Sequence, residues 1–150
     1  MVYSGITSDV RDLAERFGID DVDNTTLIFA SIEEAVNASV VSRGDHIVVA
    51  PGHTETISSA TALALDKAGV YIVGIGEGTQ KPTITLDTAD TATIAVSAAN
   101  VTIDNIAFSA NFADIASLFT LTTAKHFALK NCDFKATAAN MNFLTLVTVG

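Results

Sequence analysis

The sequence repeats itself at an interval of about 26 residues, and this period narrows the folds open to the chain. Residues 126–134 follow the apolar and polar pattern of residues 100–108, with Asn131 in the place of Asn105, 26 positions earlier. A second set of apolar segments recurs at steps of 25 residues, at 94–96, 119–121 and 144–146. Repeats of this length, made of short strands with no helix between them, are typical of the stacked coils of a solenoid.

Short apolar segments separated by turns follow one another from residue 47 onward. In one of them Ile84 and Leu86 would face one side of a strand while Thr83 and Thr85 face the other. The segment 58–68 fits either a short helix or a loop. The pattern predicts strands at 47–50, 55–57, 70–73, 83–86, 93–97, 101–103, 106–108, 118–121, 127–129, 132–134 and 143–147.

A capping helix is predicted directly before the repeats. Ser31 is a good N-cap, and Glu34 follows three residues later, as in a capping box. The apolar residues that would share one face of this helix are Ile32, Ala35, Val36 and Val40, and residues 43–45 would end it. A helix with a single apolar stripe in this position is suited to cover the open end of a stacked core.

Residues 1–26 differ in character from the rest, so we divide the chain into a segment 1–26 and a domain 27–150. A short helix in the segment would place Val10, Leu13 and Phe17 on one face. Such a helix is too short to be stable alone. It is either an arm that attaches to a partner or a helix that lies on its own domain, and the sequence leaves both interpretations open.

Side chains at equivalent positions of the repeat should form ladders along the solenoid, since neighbouring strands lie about 4.8 Å apart. Asp104 is therefore expected beside Lys130, as an exposed ion pair that contributes little to stability. Asn105 is expected above Asn131, as an amide ladder at a bend that links one coil to the next.

The last coil is expected to need a cover. The final strand is predicted close to residue 150 with no second capping helix after it, and an uncovered coil invites aggregation. Another subunit, a partner or further residues would cover it, which favours a homo-oligomer. Leu118 and Phe143, aligned with Thr93 in an earlier coil, would add an exposed apolar strip for partner contact.

The acidic balance argues against two classes of partner. The chain carries 17 acidic and 8 basic residues, a net charge of −9. Binding to nucleic acid needs a positive surface, and anionic membranes are disfavoured for the same reason. No apolar run approaches the roughly 18 residues of a spanning helix, and the first residues do not resemble a secretory signal. Cys132 is the single cysteine, so no internal disulfide is expected.

The opening of the domain resembles a known group of proteins. Residues 29–36, followed by residues 43–55, are similar to the opening of the pectin-lyase-like β-helix proteins, where a capping helix and two turns lead into the first coil. The Asn-apolar-x-Phe repeats at Asn105 and Asn131 match this group too, and the resemblance covers roughly residues 29–150. It implies an all-β fold, a right-handed parallel β-helix of about four to five coils with an N-terminal capping helix.

Within this group the chain looks most like phage structural proteins. That resemblance implies a non-enzymatic virion component, such as a capsid decoration or tail-associated protein. It also implies a homotrimer in which residues 1–26 bind other virion proteins, with adhesion to surface glycans as an additional option. The same solenoid carries lyases, hydrolases and esterases, so the runner-up is a glycan-binding or glycan-degrading domain from a longer chain. A third interpretation, a designed or truncated scaffold, predicts a monomer.

The sequence yields no catalytic, metal or cofactor residue. A polysaccharide hydrolase needs carboxylates that converge on one groove, and a lyase of this group needs a base beside a calcium-binding acidic cluster. The acidic candidates, none of which forms a convincing pair, are Asp87, Asp90, Asp104, Asp114 and Asp133. His53 and Glu55 could help to hold a metal, but His53 is more simply an exposed turn residue. We therefore expect no enzyme activity and no cofactor.

Overall fold

The computed structural model describes residues 1–2, 16 and 27–150. In this part of the chain a helix, α1 (Ile32–Ala38), precedes a series of short strands. The strands are β1 (His46–Val49), β2 (Thr54–Ile57), β3 (Ala64–Leu65), β4 (Tyr71–Gly74), β5 (Thr83–Leu86), β6 (Ile94–Val96), β7 (Thr102–Asp104), β8 (Ala107–Ala110), β9 (Phe119–Leu121), β10 (Ala128–Lys130), β11 (Asp133–Ala136) and β12 (Val147–Val149). None of the helices described is long and apolar enough to cross a membrane.

The strands form a parallel β-solenoid of about four coils. Three four-stranded sheets run along it, in the orders β1-β4-β7-β10, β2-β5-β8-β11 and β3-β6-β9-β12, and we call them sheets A, B and C. The strands pair in parallel throughout these sheets. Each coil therefore contributes one strand to every sheet. The predicted parallel β-helix with a helix at its N-terminal end is confirmed.

The repeat found in the sequence gives the correct register in the later coils. In sheet A, Ala128 lies opposite Thr102, and in sheet B, Phe134 lies opposite Phe108. Both pairs have the predicted step of 26 residues. The rings of Phe108 and Phe134 stack with their centroids 5.8 Å apart, so the repeat also places equivalent side chains in contact.

The predicted register of the last strand is wrong. β12 pairs with β9 through Val147 opposite Phe119, whereas the sequence pattern placed Leu144 there. The loop before β12 takes up the three extra residues because it pairs separately, with Phe143 opposite Ile115. Residues 144–146 and residues 147–149 both alternate between apolar and polar side chains, so periodicity alone could not choose between the two registers.

Leu118 and Phe143 do not form the predicted exposed strip. Leu118 is fully buried, and its carbonyl oxygen accepts a hydrogen bond from the backbone N–H of Ile94 at 2.9 Å. Phe143 is half-buried against the same core. Inside this core the rings of Phe108 and Phe119 meet edge to face with centroids 5.2 Å apart. Full burial of a Leu or Phe side chain contributes roughly 1.5–3 kcal/mol to stability. Leu118 and Phe143 therefore stabilise the coil rather than offer a contact surface.

α1 covers the N-terminal end of the core. Ser31 is its N-cap, and the Ser31 hydroxyl accepts a hydrogen bond from the backbone N–H of Glu34 at 3.2 Å. The Glu34 carboxylate accepts one from the backbone N–H of Ala30 at 3.0 Å, the residue before the cap. The apolar residues that α1 buries against the solenoid are Ile32, Ala35 and Val36.

The predicted apolar face of α1 does not reach Val40. The helix ends at Ala38, and Val40 is 48% exposed. The Ser39 hydroxyl donates to the carbonyl oxygen of Ala35, and the backbone N–H of Val40 donates to the Asp45 carboxylate at 2.7 Å. Both contacts satisfy backbone groups at the helix end without another helical turn, which is why the helix stops there.

Residues 58–68 contain turns and the strand β3 rather than the predicted helix or simple loop. β3 pairs with β6 and begins sheet C. Leu63 and Leu65 are buried beside it, and the backbone N–H of Ala64 donates to the Glu33 carboxylate at 2.7 Å. The neighbouring coil therefore imposes an extended conformation on a segment whose local composition does not favour one.

Two residues of the segment 1–26 are described as part of the solenoid. Val2 is fully buried and pairs in parallel with Phe29 and with Val49. The residues expected to contact a partner, Val10, Leu13 and Phe17, lie outside the described residues, and that expectation stays a prediction.

Candidate functional site

A cluster of four side chains lies on the outer face of sheet A. The rings of His46 and Tyr71 stack with centroids 5.1 Å apart. The Tyr71 hydroxyl donates to the Asp104 carboxylate at 2.5 Å, and Lys130 Nζ lies 5.6 Å from the centroid of the Tyr71 ring. The parallel register places His46 opposite Tyr71 and Asp104 opposite Lys130. We call these four residues, one from each coil, the sheet A cluster.

The predicted ion pair between Asp104 and Lys130 is replaced by other contacts. Both oxygens of the Asp104 carboxylate are engaged, one by the Tyr71 hydroxyl and the other by the Asn131 side-chain amide at 2.9 Å. These hydrogen bonds, the one from Tyr71 above all, hold the pKa of Asp104 below its usual value. The same bond raises the pKa of Tyr71. Near neutral pH both groups are therefore fixed in one protonation state, which suits a structural contact better than general acid–base catalysis.

Asn105 and Asn131 occupy equivalent corners but do not form the predicted amide-to-amide ladder. Their φ angles are 56° and 51°, a left-handed conformation that Asn adopts more readily than most residues. The Asn105 side-chain amide donates to the carbonyl oxygens of Gly74 and Gly76 at 2.9 and 3.0 Å. The Asn131 amide donates to Asp104 instead. Each amide thus ties its own corner to the preceding coil.

Other acidic candidates take part in contacts between coils. Asp87 accepts a hydrogen bond from the Asn111 amide at 2.8 Å, and the Thr137 hydroxyl donates to Asn111 at 2.6 Å, which gives a polar row through three coils. Asp133 pairs with Lys81 at 2.9 Å. Asp90 and Asp114 are exposed in turns. Among the described residues, no group of three or more His, Cys, Asp or Glu side chains is placed to hold a metal ion.

His53 is buried, whereas the sequence indicated an exposed turn. Its Nε2 lies 3.3 Å from Glu55 Oε2, an atom that also accepts a hydrogen bond from the backbone N–H of Ile32 in α1. His53 Nδ1 has no hydrogen-bond partner within the described part of the chain. In sheet B, Glu55 shares the inward-facing row of Ile84 and Phe108. The two side chains therefore link α1 to the first coil.

A cavity of about 290 Å³ lies between α1 and β1. Apolar side chains, among them Phe29 and Ile47, form part of its wall together with Arg43 and Asp45. The Arg43 guanidinium and the Asp45 carboxylate form an ion pair. Their hydrogen bonds lower the pKa of Asp45 and raise that of Arg43. The Arg43 and Asp45 side chains of this wall thus satisfy one another.

The fourth coil leaves several of its inward-facing side chains exposed. Phe134 is 40% exposed, Val147 38% and Val149 76%. Their counterparts one coil earlier include Phe108 and Phe119, which are fully buried. Nothing in residues 27–150 packs over this coil. We call Phe134, Val147 and Val149, together with the strands β10, β11 and β12, the C-terminal face.

The C-terminal face also combines unpaired strand edges with positive charge. β10, β11 and β12 are the outermost strands of the three sheets. Three exposed lysines, Lys125, Lys130 and Lys135, belong to this coil, and Asp133 is the one acidic residue in the last 29 positions of the sequence. The coil therefore carries a net charge of +2 in a chain whose net charge is −9.

The sequence pattern predicted an uncovered last coil, but it did not indicate the charge of that coil or the contact between Tyr71 and Asp104. Tyr71 and Asp104 are 33 positions apart, which the 26-residue period does not bring together. The change in the sign of the charge near the C-terminal face was readable from the sequence but is hidden by the overall acidity. No family model matches the chain, and neither a curated protein nor a solved structure matches it.

Proposed function

We propose that the chain is a non-enzymatic structural protein that joins a larger assembly through its C-terminal face. The observation that carries this proposal is the exposure of Phe134, Val147 and Val149, which face inward in their strands and continue the rows of the core. They lie on a coil whose three strands are all outermost. Exposed apolar surface next to unpaired strand edges favours association with another polypeptide.

The contacts between coils support a scaffolding role. The polar row of Asp87, Asn111 and Thr137 and the bond from Tyr71 to Asp104 each link side chains of different coils. Side chains held by such contacts stiffen the solenoid and have fewer free groups with which to act on a substrate. A rigid rod is the property that a structural component needs.

The setting that we propose is a phage virion, with the chain as a capsid decoration or tail-associated protein. The support is the resemblance of residues 29–36 and 43–55 to the opening of pectin-lyase-like β-helix proteins. A homotrimer, attachment through residues 1–26 and adhesion to surface glycans belong to the same proposal.

A glycan-binding or glycan-degrading domain is the second candidate, and the sheet A cluster is the observation that favours it. Aromatic and acidic side chains on an outer face are the groups that bind sugars. The Tyr71 ring, however, is stacked on His46 and approached by Lys130, so a sugar would have to displace one of them. This cost is why we place the structural role first.

The solution mass of the full chain, measured by light scattering, tests the structural proposal. We expect a stable trimer without turnover of polysaccharides. Incubation with a panel of acidic and neutral polysaccharides, followed by measurement of released reducing ends, tests the alternative. Product release that Asp104→Asn abolishes would establish the glycan-degrading role. A monomer at high concentration would contradict the homotrimer and favour a domain from a longer glycan-active chain.

A further inference from the structure

We infer that the buried His53 ring, Glu55 and the first turn of α1 form a proton-sensitive latch at the N-terminal end of the solenoid. Protonation of His53 releases α1 from the core, and loss of the proton lets α1 bind again. The contacts that carry this inference lie at the opposite end of the solenoid from the C-terminal face, so it does not depend on the proposed function.

The His53 ring is buried with one of its two nitrogens unpaired. The side chain has no exposed surface, and Nδ1 finds no hydrogen-bond partner within the described part of the chain. Nε2 lies 3.3 Å from Glu55 Oε2. A carboxylate only accepts hydrogen bonds, so in the neutral ring Nε2 carries the hydrogen and Nδ1 is the bare acceptor. His53 is therefore a titratable group whose enclosed ring makes a single polar contact.

One oxygen atom of Glu55 connects this ring to α1. Besides the contact with His53, Glu55 Oε2 accepts a hydrogen bond from the backbone N–H of Ile32 at 3.0 Å, and Ile32 is the first residue of the helix. α1 has only 7 residues, too few to be stable without contacts to the solenoid. A change in the ring therefore reaches the helix through a single shared acceptor.

Protonation of His53 places two demands on its surroundings. It adds an N–H at Nδ1, and a buried N–H without an acceptor is costly in a folded chain. It also adds a positive charge, which must be hydrated or fully hydrogen-bonded. Glu55 supplies the opposite charge, but through one long contact on an oxygen that Ile32 also occupies, and such a contact does not compensate for the lost hydration of both groups. The protonated ring therefore favours a form in which the first turn of α1 has lifted and water reaches both side chains.

The other charged side chains around His53 are engaged elsewhere or exposed. They are Glu33 and Glu34 on α1, Arg43 and Asp45 before β1, His46 on β1, and Glu77 and Lys81 before β5. Among the residues that the structure describes, Glu55 is thus the charged side chain in contact with His53. Nothing else in this set offers the protonated ring a second acceptor, so the helix and the proton compete for Glu55.

Release of α1 would uncover the N-terminal end of the core when the surroundings become acidic. The side chains that α1 buries, Ile32, Ala35 and Val36, would leave the first coil together. The three sheets pair strand to strand without α1, so the rest of the solenoid should stay folded. The latch therefore predicts a local opening rather than general unfolding in acid.

Nuclear magnetic resonance of the full chain, from about pH 7.5 to about pH 4.5, tests the inference over the range in which histidines titrate. The ring nitrogen shifts of His53 report its protonation, and amide hydrogen exchange, corrected for its intrinsic pH dependence, reports the protection of α1. We expect the protection of Ile32 and Val36 to fall at least roughly tenfold as the ring takes up its proton. The amides of Ile84 and Phe108, inside the solenoid, should keep their protection.

Two histidine variants complete the test. His53→Gln keeps an N–H donor for Glu55 but cannot be protonated, so its α1 should stay protected over the whole range. His46→Gln is the matched control, because His46 lies on the outer face of sheet A and its loss should leave the opening unchanged. If His53→Gln fails to fold, the wild type decides alone, since ring protonation and helix opening are measured in the same sample.

Protonation of the His53 ring with α1 still protected would overturn the inference. So would an equal opening of α1 in His53→Gln, or loss of protection at α1 only together with Ile84 and Phe108. A ring that stays neutral until the whole chain unfolds would overturn it as well. The proposed function is judged separately, by the solution mass and by turnover, so either can fail without the other.

Discussion

The same row of core residues is covered at one end of the solenoid and exposed at the other. In sheet B the row contains Glu55, Ile84, Phe108 and Phe134 in successive coils. At the N-terminal end Glu55 accepts a hydrogen bond from the backbone N–H of Ile32, and α1 covers the coil. At the C-terminal end Phe134 is left 40% exposed. Among the described residues, α1 closes one end of the solenoid, whereas the other end leaves its last apolar side chains exposed.

The difference shows that a cap must do more than supply apolar surface. Glu33 and Glu55 lie at the N-terminal end, where each carboxylate accepts a backbone N–H across the boundary between α1 and the first coil. These bonds satisfy groups that the end of a sheet or a helix would otherwise leave unpaired. Within the described residues, the C-terminal face has neither kind of cover, because its apolar side chains are exposed and its strands are outermost in their sheets.

The largest expected difference in stability is between truncating Phe108, inside the sheet B row, and truncating Phe134, at its exposed end. Phe108→Ala should lower the free energy of unfolding by about 3–5 kcal/mol, because it leaves a cavity in a filled core. Phe134→Ala, the same change one coil later, should cost only about 1–2 kcal/mol because part of the ring is already exposed. Urea denaturation measures both. Equal losses would mean that the fourth coil is covered in solution.

A second pair of changes compares the corners of the third and fourth coils. Asn105→Ala should cost about 2–4 kcal/mol, since it removes two hydrogen bonds and places Ala at a positive φ. Asn131→Ala also places Ala at a positive φ but removes only one exposed bond, and it should cost about 1–2 kcal/mol. Asn105→Gly is the control, because it keeps the backbone conformation and loses only the amide. A larger loss for Asn131→Ala, again from urea denaturation, would contradict this ranking.

These comparisons show what could be predicted from the sequence and why the rest could not. The pairing of Phe134 with Phe108 was predictable because the corner residue, Asn105 or Asn131, and the core Phe both recur 26 positions later. β3 was not, because the strand at Ala64–Leu65 exists only through its pairing with β6. The contacts of Asp104 depend on a competition among Tyr71, Asn131 and Lys130, and spacing along the chain carries no information about its outcome.

The attachment of α1 gives the next prediction. Glu55→Gln should lower the free energy of unfolding by about 1 kcal/mol, the difference between a hydrogen bond to a charged acceptor and one to a neutral acceptor, because Gln can still accept the bond from Ile32. Hydrogen exchange at the Ile32 amide should become faster than exchange through global unfolding, which would show that α1 detaches locally. Glu34→Gln is the matched control, since its bond to Ala30 is exposed and should contribute less. Equal effects of the two changes would mean that Glu55 does not hold α1 to the first coil.

The smallest expected effect concerns pH and the sheet A cluster. The pKa of Asp104 is lower in the folded chain, so its contribution to stability is complete above the unfolded value of about 3.9 and is lost as the pH falls through the folded value. Tyr71→Phe removes the main hydrogen bond behind this shift.

Thermal melting of the wild type and of Tyr71→Phe between about pH 2 and pH 7 checks the effect. The gap in Tm between them should be constant near neutral pH and should shrink below about pH 4, where the Asp104 carboxylate starts to bind protons in the unfolded chain but not yet in the folded one. Because the carboxylate is near the surface, added salt should reduce the gap as well. A gap that does not change with pH would show that Tyr71 stabilises the solenoid through its stacking on His46 alone, and the cluster would then be an aromatic contact rather than a charged one.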